Sequence, residues 1–221
     1  MNARDAAIHV IQKLVKAGYQ ALLAGGCVRD ELLGKTPKDY DVATNATPDQ
    51  AVRLFPGAQT VGAHFGVVIV RYAEQHIEVA TFRKDGSYSD GRRPDSVEFS
   101  SAEEDSQRRD FTVNGLFEDP LKGEVIDYVN GRADLEAKLL RAIGDPEARF
   151  MEDQLRLMRA VRFATVLDFE IETQTWAAVC KLSPRLGSVS VERLRDEFSK
   201  TMLHPNRVRG FDLLVESGLM K

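Results

Sequence analysis

The sequence predicts an α+β protein, with a mixed sheet and helices over residues 1–135 followed by an all-helical part over 136–221. Three observations carry that prediction. Helical and strand periodicities alternate irregularly through the first half. Two consecutive strand-like runs share a tight turn, so at least one strand pair is antiparallel. Beyond Asp134 the apolar spacing is helical nearly to the end. With 221 residues, 43% hydrophobic and 29% charged, the chain is ordinary in size and composition for one or two packed domains.

The elements follow in order. Ala6, Ala7, Val10, Ile11, Leu14 and Val15 recur at helical spacing until Gly18 stops the helix. Residues 21–26, ALLAGG, read as a short buried strand running into a turn, and Cys27 to Leu33 as a short helix ended by Gly34. After the bend at Thr36-Pro37, KDYDVAT (38–44) reads as a strand. Thr47 is placed to cap a helix with Pro48 in its first turn. Phe65 to Tyr72 and His76 to Phe82 form a hairpin through Ala73-Glu74-Gln75. The stretch RKDGSYSDGRRPD (83–95) reads as a long mobile loop. Ser101 with Glu104 forms a capping box, and turns at Asp119-Pro120 and Asn130-Gly131 bracket a strand over 124–129. The later helices break at Gly144-Asp145-Pro146, Ser183-Pro184 and His204-Pro205, with the domain boundary near Leu135.

Composition excludes several classes. The longest aliphatic run, Val67 to Val70, is far too short for a membrane span. Two distant cysteines, Cys27 and Cys180, offer neither a disulfide framework nor a zinc site. With an amphipathic start in place of a signal peptide, they lead us to expect a reducing cytoplasm. The net charge is −4, with the acidic excess in the first 150 residues. A polyanionic partner would therefore be held by local arginines and by cations on carboxylates, not by the overall field.

Asp39 and Asp41 flank Tyr40, and the two-residue strand period projects both carboxylates from one face. Hard cations such as Mg²⁺ take oxygen ligands of this kind, with substrate phosphates completing the shell. In HIEVATF, Glu78 points away from the Ile77/Val79 face, and it becomes a third carboxylate if its strand lies beside the Asp39 strand. Ahead of the pair, Gly25-Gly26 forms a strand-to-helix turn followed by Arg29, suited to phosphate approach. His64 and His76 read as ordinary loop and strand residues, and Cys27 as a small packing residue.

These residues, GGCVRDELLG followed by PKDYD, resemble the signature of the tRNA nucleotidyltransferase and bacterial poly(A) polymerase branch of the nucleotidyltransferase superfamily, of the class II CCA-adding type. Four more blocks follow in the family's order: Arg108 to Asn114; Asp119-Pro120 with Ile126-Asp127 and Gly131 to Leu135; Glu152 to Arg156 with Arg159 to Phe163; and Glu192-Arg193 with Glu197. The resemblance implies a catalytic head and a helical neck. It further implies two Mg²⁺ ions on Asp39 and Asp41 with Glu78 assisting, phosphates cradled by Gly25, Gly26 and Arg29, the sugar by Arg109 and Asp110, and Asn114 among the nucleotide-binding residues.

Asp153 and Arg156 are three residues apart, and on one helix they would share a face. A carboxylate accepts and a guanidinium donates, which matches the amine-beside-acceptor edge of cytosine and adenine and not the reversed edge of uracil and guanine. Arg159 and Arg162 would either touch phosphate or face solvent. Arg193 and Glu197, an i, i+4 pair, read as support for the nucleotide pocket. The implied function is addition of C or A from CTP and ATP to a tRNA 3′ end, releasing pyrophosphate, with no protein partner implied. A poly(A) polymerase and a non-catalytic nucleotide- or RNA-binding module are the alternatives. VGAHFGVVIV, in place of an Arg-rich segment, counts against the polymerase, and the full-length 83–95 stretch favours A addition. The chain also stops sooner than family members usually do.

Overall fold

In the computed structural model, residues 1–61, 66–88 and 94–220 are described. The chain divides into two compact units: Met1–Asp85, Val97–Arg109 and Val113–Gly131 in the first, and Gly86–Ser96, Asp110–Thr112 and Arg132–Lys221 in the second.

The first unit opens with α1 (Ala3–Lys16), whose N-terminus is capped by the Asn2 side chain accepting from Asp5 N–H. Then come β1 (Ala21–Ala24), α2 (Gly26–Leu32), β2 (Val42–Thr44), α3 (Pro48–Leu54), β3 (Gln59–Thr60), β4 (Val67–Tyr72), β5 (Gln75–Thr81), β6 (Arg83–Asp85), β7 (Val97–Phe99), α4 (Ala102–Gln107), β8 (Phe117–Asp119) and β9 (Glu124–Ile126). Thr47 and Gln50 close the expected box at the start of α3. Seven strands form one mixed sheet in the order β3-β4-β5-β2-β1-β8-β9, while β6 and β7 pair separately. The β2–β5 pairing is parallel, with Val42 opposite Val79. Ala73 and Glu74, both at positive φ, turn the β4–β5 hairpin, as a two-residue primed turn requires.

The sheet buries both faces. Ala6, Ala7, Val10, Ile11 and Leu14 of α1 pack with Leu23, Val42, Ile77 and Val79 on one side. Leu22, Ala24, Ala43 and Phe117 pack with Phe82 and Ala102 on the other. This alternation fixes which residues project where, and it is what places the site.

The second unit is helical: α5 (Gly131–Glu136, whose first residue belongs to the first unit), α6 (Pro146–Glu152), α7 (Leu155–Leu167), α8 (Thr173–Leu182), α9 (Val191–Met202) and α10 (Arg207–Glu216). The short strands β10 (Leu139–Leu140) and β11 (Glu170–Ile171) pair in parallel inside it. Phe111 packs edge-on to Phe163 and near Phe150.

Three expectations need correction. The strand expected over 38–44 is only Val42–Thr44. Its neighbour β1 gives out at Ala24, whose N–H reaches Asp41 C=O, and Gly25 then turns away, so Asp39 and Tyr40 precede the ladder. The loop expected over 83–95 begins as β6, with Gly86 N–H to Ser96 C=O and Asp95 N–H to Ser87 C=O beyond it. Residues 89–93 of that stretch lie outside the described residues, as does His64. The third correction is that Asp153 is not helical: α6 ends at Glu152, Asp153 is extended, and α7 begins at Leu155.

Candidate active site

Gly25 is the pivot of the first unit's site. At φ +72° and ψ −120° it occupies a conformation open mainly to glycine, and a Cβ there would stand 2.8 Å from Arg109 Nη1. Its own N–H is taken by Leu116 C=O. The intrahelical ladder of α2 starts with Arg29 N–H to Gly25 C=O, so the N–H groups of Gly26, Cys27 and Val28 fall in the first turn, where the helix has no carbonyl to offer them. Gly25→Ala should therefore lower the thermal unfolding midpoint by more than backbone strain alone, which costs about 1–3 kcal/mol. Gly18, at φ +90° with nothing within 4 Å of a Cβ, is the control: equal losses for Gly18→Ala and Gly25→Ala would show that the Arg109 approach does not matter.

Asp39 and Asp41 are exposed and Tyr40 between them is buried. Asp41 continues the face of Ala43, and Glu78 lies on the same face of adjacent β5, one position ahead of the Val42–Val79 pairing. The protein packed around Asp41, then Glu78 and Asp39, push its carboxyl up to about 6, with Arg109 opposing. Among the described residues no three His, Cys, Asp or Glu side chains are gathered as a ready-made metal cluster. The donor set is a carboxylate pair with Glu78 beside it, all oxygen and mutually repelling. That suits a hard divalent cation whose remaining ligands come from substrate and water.

A second prediction follows from the same repulsion. The folded-state value for Asp41 lies above the unfolded one, so folding disfavours its ionised form. The penalty is absent below about pH 4, grows between about 4 and 6, and is fully present above that. In chelator-treated protein, Asp41→Asn should raise the unfolding midpoint at pH 7.5 and give no gain below pH 4. A shift of equal size at both pH values would contradict the repulsion.

Arg109 is held rather than loose: Nε and Nη2 donate to Asp105 Oδ2 at 3.1 and 2.9 Å, Nη1 donates to Asn114 C=O, and the guanidinium lies 4.8 Å from the Phe117 ring centroid. Asp105 is almost fully buried. Although burial works against its charge, Arg108 and Arg109 hold its carboxyl below the usual range. Sequence reading missed Asp105, though its spacing to Arg108 and Arg109, i+3 and i+4, was a usable signal. Arg29, also buried, donates to Asp30 and to the Asn114 side chain, and thereby ties α2 to the segment after Arg109. Cys27 packs in the core, with its thiol pushed up to about 11 by burial. His76 accepts from Arg71 on the hairpin surface.

The second unit carries the other predicted residues. Asp110 accepts from Arg159 Nε and Nη2 at 2.8 and 2.6 Å and from Phe111 N–H. Arg162 donates to buried Glu197, whose Oε1 is also 3.9 Å from Arg159. Arg159 and Arg162 are thus engaged in ion pairs and both lie over the Phe163 ring, 5.1 and 3.9 Å from its centroid. Burial works against both charges; Asp110 outweighs it at Arg159, whereas Arg162 stays below its ordinary value despite Glu197.

At the α6–α7 break, Asp153 Oδ1 accepts from Leu155 N–H and Oδ2 from Arg193 Nη2 at 2.8 Å. Arg156 Nη1 donates to Glu152 Oε2 at 2.7 Å and to Arg149 C=O. Each member of the expected Asp153/Arg156 pair is therefore fixed by a different neighbour. The i, i+4 pairing expected of Arg193 and Glu197 is replaced by long-range partners, Asp153 and Arg162.

A mixed sheet that sets a carboxylate pair beside a glycine turn, with a helical segment later in the chain, is the architecture of a nucleotidyltransferase head and neck. The chain belongs to the poly A polymerase head domain family, whose model matches residues 21–141; a second model, for a probable RNA and SrmB-binding site of polymerase A, matches residues 168–221. A CCA-adding enzyme of Geobacillus thermodenitrificans is 44% identical over 214 residues, 96% of this chain and 53% of the relative. The crystal structure of the Bacillus stearothermophilus CCA-adding enzyme in complex with CTP is similar at TM-score 0.92 and 40% identity, over 99% of this chain and 53% of that one. A tRNA nucleotidyltransferase complexed with a primer tRNA and an incoming ATP analog is similar at TM-score 0.78 and 28% identity, over 96% and 61%. The chain spans about half the length of the curated relatives it matches. No helix among the described residues is long and apolar enough to cross a membrane.

Proposed function

We propose that this chain transfers C and A nucleotides from CTP and ATP to the 3′ end of tRNA without a nucleic-acid template. The observation that carries this reading is Asp41 and Glu78 on one sheet face, with Asp39 near enough to push the Asp41 carboxyl up, within the field of an Arg109 that is itself packed against Gly25. The primer 3′-oxygen would attack the α-phosphorus, the bond to the β-phosphate would break, and pyrophosphate would leave. Two Mg²⁺ ions on Asp39 and Asp41 would lower the pKa of that hydroxyl and balance the charge of the triphosphate. Glu78 adds negative charge beside the pair and so favours cation retention. The first turn of α2 offers N–H groups to phosphate. Arg109, held by Asp105, presents a fixed positive charge on the same face, and Arg29 with Asn114 keeps α2 and that segment together.

Base choice would fall to Asp153 as acceptor and Arg156 as donor, steadied by Arg193 and by Glu152 with the Arg149 carbonyl. Arg159 and Arg162, paired with Asp110 and Glu197, would keep the start of α7 in place. The two free thiols accord with a cytoplasmic setting.

The test is to offer tRNA lacking its last one, two or three nucleotides together with each labelled triphosphate separately. C on the two shorter primers and A on the longest is expected; long A tails on every primer would instead identify a poly(A) polymerase. In Asp153→Ala, UTP and GTP should enter as well, with some loss of stability from the missing Leu155 N–H and Arg193 contacts. If both remain excluded, Asp153 does not read the base.

A further inference from the structure

Tyr40 stands between Asp39 and Asp41, yet its side chain takes the opposite direction. It is 7% exposed and packs in the core beneath the sheet with Cys27, Val28 and Val42. Its hydroxyl donates to Glu31 Oε1 at 2.7 Å. Glu31 lies on α2, the helix that Gly25 and Gly26 open. The same Glu31 oxygen accepts from Arg4 Nε at 2.7 Å, and Arg4 Nη2 donates to Glu118 Oε1 on β8 at 2.8 Å. Although burial works against it, the Tyr40 hydroxyl and Arg4 hold the Glu31 carboxyl below the usual range, so Glu31 accepts as an anion.

Asp39 and Tyr40 precede β2; ahead of the strand, Asp41 C=O accepts from Ala24 N–H and the Asp41 backbone also meets the Cys27 thiol. Glu31 is the penultimate residue of α2, so one carboxylate ties the end of the helix that the glycine turn opens to the segment that carries the aspartates. We propose that the Tyr40 hydroxyl, bound to Glu31 and braced by Arg4 and Glu118, is a positioning device that sets the two carboxylates for divalent cation binding. This rests on the reading of Asp39 and Asp41 as cation ligands. Groups that orient ligands typically change metal affinity about 10–100-fold when removed, and here the lever is short: a rotation about the Tyr40 backbone swings both neighbours at once.

The test reads Mn²⁺ binding to the protein directly, by electron paramagnetic resonance of free Mn²⁺, with no nucleotide or RNA present, alongside the unfolding midpoint. Tyr40→Phe keeps the packed ring and deletes only the hydroxyl; Glu31→Gln keeps an acceptor and deletes the charge. Mn²⁺ affinity should fall about tenfold in Tyr40→Phe and by less in Glu31→Gln. In turnover, half-saturating Mg²⁺ should rise in the same order while the KM for primer stays put. A role confined to stability would move the midpoint and leave both metal readouts unchanged. Should Tyr40→Phe fail to fold, Glu31→Gln decides by the same measurement. Mn²⁺ affinity within twofold of the parent in the folded variants overturns the proposal. Asp41→Ala separates the two layers: if it binds Mn²⁺ as the parent does, the carboxylate reading itself falls; if it loses Mn²⁺ while Tyr40→Phe keeps it, only the positioning role falls.

Discussion

Asp41→Ala should abolish nucleotide incorporation, by about 10³-fold or more, while leaving the fold intact. The two halves of that result have separate causes. Asp41 is exposed, and its carboxyl is held up near 6 by surrounding protein, Glu78 and Asp39, so removing it relieves repulsion inside the first unit instead of leaving a hole. On the reading proposed above, activity depends on the charge the side chain contributes to a cation, and each 1.36 kcal/mol of lost transition-state stabilisation is tenfold in rate. Incorporation assays with saturating Mg²⁺, run beside circular dichroism and an unfolding curve, check both. Residual activity above a few per cent with a normal spectrum would remove Asp41 from the reaction. A collapsed spectrum would mean that Asp41 has a structural role its exposure does not reveal.

A large stability effect is expected at Glu197. It is 4% exposed, accepts from Arg162, and lies 3.9 Å from Arg159 and from Lys200. Removing one member of a buried pair leaves the other charge desolvated and costs about 3–5 kcal/mol. Arg159 still has Asp110, and the orphaned Arg162 keeps its place over the Phe163 ring, so the lower end applies. For a domain of this size Glu197→Ala should then lower the unfolding midpoint by about 6–12 °C. Glu197→Gln, which keeps the hydrogen-bond acceptor for Arg162, should lose roughly half as much. A shift under about 2 °C for Glu197→Ala would mean that Arg162 finds another counter-charge.

Much of the fold was legible because its signals are local. The apolar spacing of α1, the Thr47-Pro48 start of α3 with Gln50 three residues on, and the β4–β5 hairpin each occupy one short window of sequence. The strand period was right in part: Asp41 continues the Ala43 face and Glu78 is turned from the core, whereas Asp39 precedes the ladder. What escaped depends on partners distant in the chain. The length of β2 is set by where β1 turns at Gly25. The α6–α7 break at Asp153 has no glycine or proline to announce it, and it is held by an arginine forty positions on. Helical spacing joined Arg193 to Glu197, whereas tertiary packing sends each to a different residue.

The parallel pairing of β2 with β5 has a consequence for the order of assembly. Asp41 and Glu78 are separated in the chain by α3, β3 and β4, so they become neighbours only after the hairpin has formed and crossed back beside β2. Closing that long connection precedes any reward from the contact. The juxtaposition of Asp41 and Glu78, and with it the proposed cation site, therefore requires that β5 has been synthesised.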